Sequence, residues 1–162
     1  MAEFTHIDDE GRVRMVDVTD KKPTDRTAKA MGRISMSPET FALIKDHKVA
    51  KGNVLETARI AGILAAKKTW DLIPMCHPLN LTHVQVDFFP DDDAHAIEIQ
   101  AFARVVDNTG IEMEALTAVS VAALTIYDMC KAYDKAMVIS NIQLLKKTGG
   151  KSGIFEREAV EG

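Results

Sequence analysis

Asp128 and Lys131, in the stretch IYDMCKA, carry the most direct chemical suggestion in this 162-residue sequence. On a helix they stand three residues apart and share a face, so a carboxylate lies beside an ammonium group. At the end of a long apolar run, such a pair can move a proton while holding an anionic substrate group. The same spacing describes a solvated ion pair at a helix end, and spacing alone does not separate the two. Lys51 precedes Gly52 where a helix should begin. Helix N-termini attract anions, and a lysine there strengthens the attraction; a solvated surface lysine is the plain alternative. Glu112 and Glu114 fall near the start of another expected helix. Glu112 has capping-box spacing to Thr109, and acidic residues are favoured there by the helix dipole. A carboxylate only accepts hydrogen bonds, so these residues would also suit the N–H edge of a guanine-like ring.

The stretch LIPMCHPLNL places Cys76 and His77 between Pro74 and Pro78. Each proline fixes its own φ and biases the preceding residue towards an extended conformation. Met75, Cys76 and His77 therefore belong to a stiffened, non-helical segment, either a tight turn or a presenting loop. His77 is a candidate ligand donor or acid/base. Cys76 reads as a small packing residue rather than a nucleophile. Adjacent residues rarely ligate one metal together, and no second cluster has zinc-like spacing, so no metal site is expected. The tail KKTGGKSG is not a P-loop. The motif needs glycine at 145, where Leu145 stands, and a following helix for which too few residues remain. A basic, glycine-rich tail that closes over phosphates and a plain flexible tail both fit.

Composition narrows the class. Hydrophobic residues make up 46% and charged residues 27%, with a net charge of −4. That suits one globular domain with a proper core and gives no bulk attraction to nucleic acid or anionic membrane. Two cysteines form no disulfide framework, so a reduced, cytoplasmic protein is expected. No run of about 18 consecutive apolar residues marks a membrane span.

The elements that must position these residues follow from periodicity. Residues 1–12 and 148–162 read as flexible ends of a single domain spanning 1–162. Residues 14–21 read as a short strand or extended arm, and 26–36 as a half-buried strand. Ser37 and Pro38 open a short helix to about Asp46. Residues 53–70 form a helix capped by Asn53, rich in small residues that permit close packing. Residues 81–89 and 94–106 form an antiparallel hairpin about a turn at 90–93. A long apolar helix covers 111–134, and a last strand covers 137–148. This order predicts an α+β fold, a ferredoxin-like antiparallel sheet with helices packed on one face. The apolar surface exceeds what one sheet face needs, so a second subunit is expected to cover the remainder.

Several long stretches, MVDV (15–18), KGNVLETARIAGILAAKKTWDLIPMCHPL (51–79), GIEMEALTAVSVAALTIYDMCKA (110–132) and KKTGGKSG (146–153), together resemble one family. It is that of the C proteins of molybdenum cofactor biosynthesis, the cyclic pyranopterin monophosphate synthases, and the resemblance runs over nearly the full length. It implies a lyase that converts 3′,8-cyclo-7,8-dihydro-GTP to cyclic pyranopterin monophosphate and releases pyrophosphate. It also implies a hexamer built as a trimer of dimers with interface active sites. Asp128 matches the family's catalytic aspartate, and Lys51 and Lys131 match lysines near the triphosphate. Met75, Cys76 and His77 match one substrate-binding segment and Met113 and Glu114 another; Glu112, Lys147 and Arg26 are weaker matches. His77 joins the catalytic set as a proton-transfer group. No cofactor is evident, and Mg²⁺ accompanying the triphosphate is left open. The alternative of another class is a non-catalytic nucleotide-binding module, regulatory or scaffolding, which would show no turnover.

Overall fold

The computed structural model describes residues 6–158; the outermost parts of the expected flexible ends, 1–5 and 159–162, lie outside the described residues. β1 (Thr24–Ser35) is followed by α1 (Pro38–Lys45), α2 (Val54–Lys67) and a single turn, α3 (Thr69–Leu72). The hairpin β2 (His83–Asp91) and β3 (Ala96–Asp107) comes next, then α4 (Glu112–Cys130), β4 (Val138–Thr148) and β5 (Phe155–Glu156). The strands form one sheet in the order β2-β3-β1-β4-β5, with every neighbouring pair antiparallel. Leaving β5 aside, this is the ferredoxin-like α+β arrangement expected from the sequence, with helices over one face.

Alternation explains which face is covered. Along β1, Ala28, Ala30, Gly32 and Ile34 are buried under the helices while Lys29, Met31 and Arg33 point the other way. Ile97, Ile99, Ala101, Ala103 and Val105 do the same on β3. α4 lies on this apolar surface, with Ala115, Ala118, Val119, Ala122, Ala123 and Ile126 fully buried. It is long and apolar enough to cross a membrane by length and composition, but its apolarity is spent on the sheet below and α2 alongside.

α2 approaches α4 through Gly62. A Cβ there would stand 2.9 Å from the Ala118 carbonyl oxygen and 3.4 Å from the Ala122 Cβ, so only glycine permits this spacing without movement. Asn53 caps α2, its side chain accepting from the Glu56 N–H at 3.2 Å. The helix stops earlier than the expected residue 70. The Thr69 hydroxyl donates to the carbonyls of Ala65 (3.2 Å) and Ala66 (3.0 Å), and the chain restarts as α3. Ser37 caps α1 as expected, accepting from the Thr40 N–H.

Other boundaries differ for identifiable reasons. The expected turn at 90–93 begins later, because Pro90 sits in edge strand β2, where its missing N–H costs no ladder bond. α4 has no capping box. Ile111 occupies the cap position without a side-chain hydrogen bond, held there by its own burial, while Glu112 folds back over Gly110. The helix ends at Cys130 rather than 134. Of the expected arm 14–21, residues 14–18 have no regular structure and pair with no strand, and 19–21 turn, the Lys21 N–H donating to the Val18 carbonyl at 3.1 Å; residues before it close a small turn with a bridge from Ile7 to Val13. Beyond β4 the chain reverses and β5 pairs with Lys146 and Lys147, an element absent from the sequence reading.

Gly62→Ala tests the α2–α4 approach. In an ordinary helix the change stabilises by roughly 0.5–1 kcal/mol; here overpacking against a backbone carbonyl should reverse the sign, at a cost of about 1–3 kcal/mol. Thermal denaturation should show a lower Tm than the parent, and an unchanged or higher Tm would mean the helices are not held this closely.

Candidate active site

The predicted site residues collect at the two ends of α4. At its C-terminal end, the Lys131 Nζ donates to Asp128 Oδ1 at 2.8 Å. The Lys51 Nζ donates to the Asp128 backbone carbonyl at 3.0 Å and lies 3.9 Å from Oδ2. Lys51 reaches this point from the loop before α2, where Gly52 takes φ 104°, a left-handed value suited to glycine, and the Ala50 N–H donates to the Tyr133 hydroxyl. All three charged side chains are about half exposed or more. The hydrogen bond and charge of Lys131, with the charge of Lys51, hold the Asp128 carboxyl below the usual carboxylate range. Asp128 in turn raises the Lys131 ammonium. The cluster therefore presents an ionised carboxylate, able to accept a proton, between two cations able to hold an anion. Cys130 beside it is inert: burial pushes its thiol up to about 11.

At the N-terminal end of α4, a cavity of about 280 Å³ is lined by Met75, Cys76, His77, Glu112, Met113 and Glu114, with the arm closing one side through Val16, Val18 and Lys21. The loop from Ile73 to Thr82 is non-helical between its prolines, as expected. The His77 Nε2 lies 2.8 Å from the Val16 carbonyl. A carbonyl only accepts, so Nε2 carries the proton and Nδ1 is left as the ring atom able to take another. Burial, and then the charge of Glu114, push the Cys76 thiol up, which fits packing rather than nucleophilic chemistry. Glu114 is 3% exposed, and burial raises its carboxyl to about 7.

A larger cleft of about 880 Å³ adjoins this cavity, and both share Lys21, Thr109 and Gly110 in their walls. Lys22, Arg26, Lys151 and Ser152 add to its lining. Arg26 is held by the backbone carbonyls of Asp107 (2.9 Å) and Asn108 (3.1 Å). Gly149 and Gly150 take positive φ and cross Arg26 so closely that a Cβ on either would collide with the strand or the guanidinium. Lys147 reaches the same tail through the Ser152 hydroxyl. The glycine-rich tail thus supplies cations beside the cavity. Lys21 and Lys22 were missed by sequence reasoning; their only signal is a basic pair ahead of β1. His6, given no role on sequence, also lines the smaller cavity. Among the described residues, no group of three His, Cys, Asp or Glu side chains converges as a metal site.

The two ends do not meet within one chain. Glu114 and Asp128 are fourteen residues apart on α4, which is ~20 Å along a helix rising ~1.5 Å per residue. One chain therefore carries two separate clusters of candidate residues, one at each end of α4.

Comparison with known proteins places these residues in context. The model of the MoaC family matches residues 15–150. A protein of Desulfatibacillum aliphaticivorans named cyclic pyranopterin monophosphate synthase is 68% identical over 158 residues, covering 98% of this chain and 99% of the relative. Proteins of the same name from Chloroflexus aurantiacus (59% identical, 96% of this chain and 95% of the relative) and Thermomicrobium roseum (55%, 99% and 97%) are similar over the same extent.

The Asp128 cluster has a direct test. In Lys131→Ala the Asp128 carboxyl should titrate at higher pH than in the parent, as followed by ¹³C NMR of the side-chain carboxyl. An unmoved titration would mean that Lys131 does not set the charge state of Asp128 in solution.

Proposed function

The chain belongs to the MoaC family, and from that membership we propose that it is a cyclic pyranopterin monophosphate synthase. It is a lyase of molybdenum cofactor biosynthesis that converts 3′,8-cyclo-7,8-dihydro-GTP to cyclic pyranopterin monophosphate with release of pyrophosphate. The observation that carries this is the match along nearly the whole chain to proteins of that name, with both clusters of candidate residues inside the family match. It favours catalysis over a non-catalytic nucleotide-binding module.

The chemistry needs proton transfers for ring opening and closure, then loss of an anionic leaving group. In this proposal Lys51 and Lys131 hold the triphosphate and offset charge as a substrate oxygen attacks the α-phosphate and pyrophosphate departs. Asp128, ionised between them, takes the proton. His77 serves the ring end through Nδ1, oriented by the Val16 carbonyl. Met75, Cys76, Met113 and Glu114 bind the ring; Glu112 borders it, and Arg26 and Lys147 extend the cationic surface towards the phosphates. Preset geometry lowers the entropic cost of a multistep rearrangement.

The working site is composed of two chains in this proposal, the Asp128 cluster of one facing the His77 cavity of another, within a hexamer arranged as a trimer of dimers. Two features support it: the ~20 Å between the two clusters on one rigid helix, and exposed apolar side chains on the helix and sheet surfaces, among them Ile60, Leu64, Leu124 and Ile142. A cytoplasmic place of action completes the proposal.

Pyrophosphate release from enzymatically generated 3′,8-cyclo-7,8-dihydro-GTP measures the reaction. Asp128→Ala and Lys51→Ala should each lower turnover by about 10²–10⁴-fold while the oligomer persists; near-parental rates in a folded variant would remove that residue from the catalytic set. Mixing Asp128→Ala with His77→Ala subunits should restore part of the activity, because some sites then pair two intact halves. No recovery from confirmed mixed oligomers would place both residues' work within one chain.

A further inference from the structure

The cavity at the N-terminal end of α4 holds a carboxyl that, among the described residues of one chain, is paired with no cation. Glu114 is 3% exposed and opens onto the cavity. Among the described residues no lysine, arginine or histidine pairs with it, and the neighbouring charge that acts on it is that of Glu112. The ionisable groups around the cavity are Glu112 from α4, Cys76 and His77 from the proline-bounded loop, and His6 and Lys21 from the N-terminal arm. The strands and α2 contribute none to its lining.

We propose that Glu114 carries a proton in the empty cavity and gives it up when a ring presenting two adjacent N–H donors, the 2-amino-4-oxopyrimidine edge of a guanine-type nucleotide, docks against it. The proposal deepens the synthase reading and rests on it for the identity of the ring. A neutral carboxyl offers one donor and one acceptor, so its O–H would meet one of the ring's N–H groups head on. The ionised form offers two acceptors and matches both donors, in the bidentate pairing that is the strong kind. Withdrawn from water and unpaired, an ionised carboxylate is costly; the ring supplies the donors that it lacks. The proton leaves to solvent through the cavity mouth.

The environment supports this order of events. Burial raises the Glu114 carboxyl to about 7, with the charge of Glu112 adding to the rise and the Glu114 N–H opposing it. Ligand binds the deprotonated form. Affinity for the guanine edge should therefore climb with pH by up to about tenfold per unit below the raised value, and level off above it.

Infrared difference spectroscopy on the full-length protein, with isothermal titration calorimetry, tests the proposal. GTP is the probe, because it has the ring edge and the triphosphate. ITP is the control, because it has the same phosphates and lacks the 2-amino donor. At mildly acidic pH the free protein should show a protonated-carboxyl stretch that is missing in Glu114→Gln. Saturating GTP should remove that band, and ITP should leave it. The ratio of GTP to ITP affinity should rise with pH in the parent and stay flat in Glu114→Gln; should that variant not fold, the parent ratio and a ¹³C-glutamate label on the band decide. An absent band, a band that survives bound GTP, a flat parent ratio, or no GTP binding overturns the proposal. None of these readouts needs turnover. Failure here with pyrophosphate release intact removes the proton linkage alone, whereas success here without pyrophosphate release removes the synthase reading alone.

Discussion

The close seating of α4 is the constraint from which the rest follows. The helix is wrapped by the sheet below and α2 beside it, and small residues make this contact tight: Ala115, Ala118, Ala122 and Ala123 on α4 and Gly62 on α2. Interiors packed at this density do not flex to bring distant side chains together. α4 is thus a rigid spacer, with a charged cluster at one end and a cavity at the other. Each cluster is assembled where a loop meets a helix end: Lys51 before α2 meets the end of α4, and the Pro74–Pro78 loop meets its start.

The carboxyls carried by that helix are driven in opposite directions. Asp128 stands in water between two ammonium groups, and the Lys131 hydrogen bond and the two charges hold it ionised. Glu114 is withdrawn from water and, among the described residues, paired with no cation, and desolvation pushes it towards the neutral form. At neutral pH one of two chemically similar acids is therefore ionised and the other stands near its titration point, a separation by environment rather than by residue type. The arm and the tail complete the cavity end. The arm fixes the His77 ring through one carbonyl, and the tail brings Lys151 beside Arg26 over two left-handed glycines.

Sequence alone determined the elements whose signals are local. Alternation marked β1 and the hairpin; Ser37–Pro38 and Asn53 marked two helix starts; Pro74 and Pro78 marked the loop. Chemistry-bearing residues were legible where their neighbours in sequence are also their neighbours in space, as with Asp128 and Lys131 on adjacent turns. Tertiary structure alone decided matters that depend on partners far along the chain. Ile111 could replace a capping box because the core accepts it. β5 exists because β4 offers it an edge, and Lys21 and Lys22 face a cleft because the arm lies beside the start of α4. The different states of Glu114 and Asp128 belong here too. Composition names an acid, but only the folded surroundings fix how much water and how many cations reach it.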